Sequence, residues 1–225
     1  MKFDRYAIYY TPDGALAQAG AAWLGWDMTT GRHVPHPDMP RLDVATLTDT
    51  PRKYGLHATI KPPFVLADGT RADDLRTAFD TLCARLAPVT LPGLALTPLG
   101  RFLALTPQGD AARLRDLAAN VVRDLDSFRA APTDADLARR RQANLTPQQE
   151  ANLTQWGYPY VMDAFRFHIT LTGRMDRAQL AQVTTQLGHY IAPHLPQPFC
   201  VDSLTLAGQG PDGMFHALHR AALSG

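Results

Sequence analysis

Cysteine is scarce in this chain of 225 residues: only Cys83 and Cys200 occur. They are too few and too far apart for a zinc ribbon or a disulfide framework, and a reducing cytoplasm is the expected setting. Charge of a single sign is lacking too. The 22 basic residues stand against 21 acidic ones, for a net charge of +1. This excludes a protein that coats nucleic acid or membrane through its overall field, and it leaves recognition to a local site. Long apolar runs are also missing. The longest uncharged stretch, Ala178 to Val201, is broken by Gln, Thr, His and three prolines, so it cannot span a membrane. Met1 to Gly14 carries Lys2, Asp4 and Arg5 and no apolar core of a signal peptide. The Asn-x-Thr sequences at Asn144 and Asn152 are accordingly expected to be helix punctuation rather than glycosylation sites. No nucleophile elbow, P-loop or dinucleotide-binding glycine pattern is present.

What the chain does have is periodicity. A chain of this length buries roughly 70% of the surface that its unfolded form exposes, enough for one large domain or two small lobes without disulfide or metal. Four runs have apolar residues at helical spacing behind a plausible cap. They are Leu16, Ala19, Trp23 and Trp26 after Asp13; Leu75, Ala78, Phe79, Leu82 and Leu86 after Thr70; Leu114, Leu117, Val121, Leu125 and Phe128 after Asp110; and Leu180, Val183, Leu187 and Ile191. Strand signals, β-branched or aromatic and bounded by Gly or Pro, cover Phe3 to Tyr10, Leu56 to Phe64, Leu94 to Leu99, Phe102 to Leu105, Phe165 to Thr172, Val201 to Ala207 and Phe215 to Ala221. The mixture predicts an α/β or α+β fold with helices covering a sheet, and α+β is the form expected here. Between Arg129 and Tyr160 the chain is polar, carries Arg139-Arg140-Arg141, and has a capping-box sequence at Thr146-Pro147-Gln148-Gln149. This is expected to be a polar helical insert. Starting at Leu56 and again at Phe165, the order strand, helix, strand, strand recurs. The expectation is one bilobal domain, with lobe one around 50–108, lobe two around 161–225, and two small, mainly antiparallel sheets facing a central groove.

The first strand of each expected lobe holds the same triplet. Successive strand side chains point to opposite faces, so His57, Thr59 and Lys61 share one face while Leu56, Ala58 and Ile60 share the other. In the second strand Phe165, Phe167, Ile169 and Leu171 alternate with Arg166, His168, Thr170 and Thr172. If an approximate two-fold axis relates the lobes, both His-x-Thr faces meet in the groove. Imidazoles with an ordinary pKa of about 6.5 can then serve as base and acid on opposite sides of one phosphorus. The threonine hydroxyls would donate to non-bridging oxygens, and Lys61 and Arg166 would supply positive charge. None of these steps calls for a metal.

Paired His-x-Thr-x motifs, here His57-Ala58-Thr59-Ile60 and His168-Ile169-Thr170-Leu171, resemble the 2H phosphoesterase superfamily. The longer phrases, from Tyr54 to Phe64 and from Phe165 to Gly173, resemble a bacterial branch of it linked with phosphonate metabolism. The resemblance implies a bilobal fold, two catalytic histidines, two phosphate-binding threonines, and metal-independent action on cyclic phosphodiesters such as 2′,3′-cyclic phosphates. Lys61 lies outside the common motif, and the arginine-rich insert is not general to the superfamily.

The expected site is therefore His57 and His168 as catalytic groups, with Thr59, Thr170, Lys61, Arg166, Tyr6 and Tyr158 binding the substrate. Thr172 occupies the place of Lys61 and is read as a strand residue. Arg139-Arg140-Arg141 reads as a solvated helix face. His33-x-x-His36 and His216-x-x-His219 have metal spacing but no further ligands beside them, so neither metal nor cofactor is expected. The expected function is hydrolysis of a small cyclic phosphate, of a nucleotide or of ribose, by a cytoplasmic monomer that does not engage membrane. The alternatives are a protein that binds a phosphorylated ligand or RNA end without chemistry, and a 2H enzyme that processes RNA ends.

Overall fold

The computed structural model describes residues 3–225. In chain order its elements are β1 (Arg5–Tyr10), α1 (Gly14–Leu24), β2 (Trp26–Asp27), β3 (Arg32–His33), α2 (Val44–Arg52), β4 (Ala58–Phe64), α3 (Ala72–Cys83), β5 (Val89–Leu91) and β6 (Leu94–Leu99). There follow β7 (Phe102–Pro107), α4 (Ala112–Asp124), α5 (Asp134–Arg141), α6 (Pro147–Trp156), β8 (Ile169–Thr170), α7 (Arg177–Ile191), β9 (Phe199–Val201), β10 (Ser203–Gln209) and β11 (Phe215–Ala222). The architecture is mixed α+β, as the periodicities predict. Each of the four apolar runs forms a helix, although Leu86 lies beyond the end of α3 and Leu125 and Phe128 beyond the end of α4. Trp26 leaves the first of them because Gly25, at φ 78°, caps α1 in the left-handed conformation and turns the chain into β2. Thr146 and Gln149 cap α6 reciprocally, with Pro147 in its first turn. Among the described residues no helix is long and apolar enough to cross a membrane.

All pairings are antiparallel, and the main sheet has seven strands in the order β11-β10-β1-β4-β8-β7-β6. Its two halves meet edge to edge between β4 and β8, at the pair Ala58↔Ile169. The halves are not the contiguous stretches 50–108 and 161–225. The hairpin β6–β7 follows β4 in sequence but pairs with β8, and β10–β11 follows β8 but joins β4 through β1. The two crossings pass one another where β5 pairs with β9, Val89↔Val201 to Leu91↔Phe199. Both hairpins have similar apolar alternation, so strand order alone does not tell which half each will join.

The main core lies on the helical side of the sheet. Tyr6, Ile8 and Tyr10 of β1 pack there with Trp23 of α1, Phe79 of α3, Val121 of α4 and Leu187 of α7. The opposite residues of β1 face a second, smaller cluster: Ala7 and Tyr9 join Trp26, Met28, Ala207 and Phe215. That second face carries the cavity described next.

Candidate active site

Antiparallel register at Ala58↔Ile169, carried one residue either way, sets His57 opposite Thr170 and Thr59 opposite His168. Each histidine thus faces the other segment's threonine. Directly opposed side chains on one face lie about 5 Å apart at Cβ, so the four groups form one patch astride the seam. The imidazoles are anchored alike. The Nδ1–H of His57 donates to the Gly55 carbonyl at 3.0 Å, and that of His168 donates to the Arg166 carbonyl at 2.8 Å. A carbonyl can only accept, so both rings carry the neutral-state proton on Nδ1 and present Nε2 as the basic nitrogen. Gly55 can turn its carbonyl this way because it sits at φ 68°, and a Cβ there would meet the Met28 Cβ at 2.9 Å.

A cavity of about 320 Å³ opens beside the patch. Its walls include His57, Thr59 and Thr170 from the seam, Arg5 and Tyr9 from β1, Thr50 and Pro51 from α2, Tyr54, Arg140 from α5, and Tyr158. His168 stands just outside this lining, with its ring 6.2 Å from that of Phe102. The Tyr9 ring lies 4.0 Å from the His57 ring, and Tyr54 stacks on Phe215 at 5.2 Å. Burial, opposed by the Gly55 carbonyl and reinforced by the nearby His168, pushes the His57 imidazole down to about 4. It is neutral at pH 7. Its Nε2 accepts from the Thr59 hydroxyl at 3.1 Å. Burial likewise raises the Tyr9 phenol well above its ordinary value, so it keeps its proton. Among the described residues Tyr9 Oη is the buried side-chain polar atom without a hydrogen-bond partner. A hydroxyl left so, at a cost of about 1–3 kcal/mol, is a donor available to a ligand.

Three of the expected site residues lie elsewhere. Lys61 is on the core side. The pairs Ile8↔Lys61 and Tyr9↔Thr59 enclose a bulge at Ile60, which reverses the alternation and sends Lys61 under the sheet. There its Nζ donates to the Val122 carbonyl at 3.1 Å and to Asp126 at 3.2 Å, with 2% of the side chain exposed. Arg166 is exposed and folds back to donate to the carbonyls of Asp163 and Phe165, because regular strand structure begins only at Ile169. Tyr6 points into the core beside Phe3, one residue out of phase with the cavity-lining Arg5 and Tyr9. Tyr158 does line the cavity. The α6 helix ends at Gly157 with φ 72°, and the buried Asn152 amide donates to the carbonyls of Pro159 and Val161, fixing the loop between.

The cations that reach the cavity are instead Arg5 and Arg140. Arg139 and Arg141 are exposed and bonded to Asp136 and Glu150, whereas Arg140 turns inward with its guanidinium 4.4 Å above the Tyr158 ring. Alternation along β1 would have placed Arg5 with Tyr9. The α2 helix that brings Thr50 and Pro51 has its own signal, an Asp43 cap before Val44, Leu47 and Pro51 at helical spacing. The other spaced histidines have separate duties: His33 bonds to the Gly25 carbonyl, His36 to the Trp23 carbonyl, His216 to Asp212 and His219 to Asp80. Among the described residues no group of three or more His, Cys, Asp or Glu side chains is placed to hold a metal.

Fold and seam together define a class: an α+β protein that brings two His-x-Thr segments side by side across one antiparallel pair. The chain belongs to the family described as "Protein of unknown function (DUF1045)", which it matches over residues 59–216. It is 36% identical over 231 residues to a "Ribose 1,5-bisphosphate phosphokinase PhnN" of Janthinobacterium sp. (strain Marseille), covering 98% of this chain and 51% of that protein. It is 34% identical over 208 residues to the protein of the same name from Laribacter hongkongensis (strain HLHK9), covering 90% and 47%. The chain therefore spans about half the length of these curated relatives. Among solved structures it is similar to E. coli LigT complexed with 3′-AMP (15% identity, all of both chains, TM-score 0.48). It is also similar to TT0787 of Thermus thermophilus (15% identity, 98% of both chains, TM-score 0.45).

Proposed function

We propose that the chain is a phosphoesterase that opens a small cyclic phosphodiester by general acid and base catalysis, with ribose cyclic phosphates or 2′,3′-cyclic nucleotides as the substrate class. The observation that carries this reading is the crossed seam, with His57 opposite Thr170, Thr59 opposite His168, and both rings held through Nδ1. On binding, the Thr59 and Thr170 hydroxyls turn to the non-bridging oxygens, which frees His57 Nε2. Neutral His57 takes a proton from water as the water oxygen forms a bond to phosphorus. The ester bond on the far side breaks, and its oxygen receives the Nε2 proton of His168 in the imidazolium form. The product is a phosphomonoester with a freed hydroxyl, and solvent returns both histidines to their starting states. This division of labour uses the burial that keeps His57 neutral.

The curated relatives' name points to phosphorylated ribose as a compound to test. The chain has no G-x-x-x-x-G-K-[ST] sequence to cradle a nucleotide's phosphates, so phosphoryl transfer is not proposed for it. The test is a screen of ribose cyclic phosphates, 2′,3′-cyclic nucleotides and RNA ends, with and without EDTA. Turnover of a cyclic ester in EDTA, reduced about 10²–10⁴-fold by His57→Ala and by His168→Ala, is expected. Full activity in both variants, or tight binding without turnover of any compound, would overturn the mechanism.

A further inference from the structure

A second cavity of about 210 Å³ adjoins the first and shares Arg5, Pro63 and Arg140 with it. Arg129 and Arg139 also line it, but Asp126 and Asp136 already hold them, at 2.8 and 2.6 Å. Arg5 and Arg140 differ. Among the described residues neither has a carboxylate within 4.0 Å, unlike Arg129 and Arg139, which share the second cavity with them. Each is nevertheless fixed in place. Arg5 Nε donates to Gln209 at 2.7 Å with the guanidinium beside the Phe215 ring, and the Arg140 guanidinium lies over the Tyr158 ring. Two half-buried cations converging without an anion repel one another, and their outer nitrogens have the fork geometry that suits a phosphate.

The charges of the two regions also differ in kind. The seam offers hydroxyls and imidazoles and no fixed cation, which suits the single negative charge of a cyclic diester. A pair of guanidiniums suits the charge of about −1.5 to −2 on a phosphomonoester at neutral pH. We infer that the substrate carries a second, terminal phosphate bound between Arg5 and Arg140, while its cyclic ester lies at the seam. The second part of this inference rests on the proposed phosphoesterase reading; the Arg5–Arg140 anion site itself does not.

Two measurements separate them. In the first, kcat/KM is compared for a ribose cyclic phosphodiester with and without a 5-phosphate. The wild type is expected to prefer the phosphorylated compound by at least about 30-fold, with that ratio falling at least tenfold in Arg140→Met and in Arg5→Met. Arg141→Met, which alters a residue outside both cavities, leaves the ratio unchanged. In the second, calorimetry follows ribose 5-phosphate binding, which is expected to weaken at least tenfold in Arg140→Met and to persist in His168→Ala. Turnover with equal preference for the two compounds, or ribose 5-phosphate binding indifferent to Arg5 and Arg140, overturns the inference. Arginine-dependent binding of ribose 5-phosphate with no turnover of any cyclic ester supports the anion site and removes the phosphoesterase reading alone.

Discussion

His57 joins three links in one side chain: the backbone turn at Gly55 that orients it, the Tyr9 ring that covers it, and the low proton affinity that follows. Because its imidazole sits at about 4 in the folded chain, the acid limb of kcat/KM should fall near pH 4 rather than near the ordinary value of about 6.5. A bound phosphate is negative and raises that value, so the acid limb of kcat should lie above the limb of kcat/KM. Stability responds as well. As pH falls from about 6.5 to about 4, the unfolded chain takes up a proton that folded His57 refuses, so the folded state loses stability across that window and levels off below it. Urea titrations at pH 7, 5.5 and 4.5 should show a shallower decline in His57→Asn than in the wild type. Tyr9→Phe is the complementary test. Removing a buried hydroxyl that has no partner should leave stability unchanged or raise it by about 1 kcal/mol. If the hydroxyl serves the ligand, kcat/KM should fall about tenfold at the same time.

At the scale of elements, β4 decides which residues reach the cavity. Its bulge turns Lys61 under the sheet, where burial lowers the amine to about 8 against the pull of Asp126. Asp126→Ala should destabilise the protein by about 3 kcal/mol, because it leaves Lys61 buried with no counter-charge and releases Arg129 from its bidentate contact. Chemical denaturation checks this. Two-residue alternation made His57, Thr59, His168 and Thr170 legible as one patch, since it holds from Leu56 to Ile60 and through the approach to β8. It could not show Lys61, because a bulge inserts a residue without a mark in the side-chain pattern. Nor could it show Arg166, whose guanidinium is drawn to nearby carbonyls where pairing has not yet begun. Arg140 was hidden differently: three consecutive arginines on a helix point in three directions, and only the packing against Tyr158 tells which one turns inward. The periodic helices were readable because each buries a full apolar stripe. Helix α2, with few apolar residues and Pro51 within it, buries too little to stand out.

For the whole molecule, the exchange of hairpins between the halves of the sheet makes each half depend on the other's chain. Neither 1–108 nor 109–225 contains all the strands of one half: the first lacks β10 and β11 beside β1, and the second lacks β6 and β7 beside β8. Each fragment alone should lack cooperative unfolding, while an equimolar mixture should recover it. Near- and far-UV circular dichroism of the intact chain should melt together. The repeat of strand, helix, strand, strand was visible in sequence, but the crossing at β5 and β9 depends on contacts more than a hundred residues apart.

That crossing also sets an order of events at the ribosome. The hairpin β6–β7 leaves the exit tunnel long before its partner β8, and β1, which ends at Tyr10, waits for β10, which starts only at Ser203. With synthesis at roughly 5–20 residues per second, β1 spends roughly ten seconds or more with one sheet edge unpaired. During that interval the nascent chain depends on whatever covers β1, and slower translation through α5 and α6 would lengthen its exposure to aggregation.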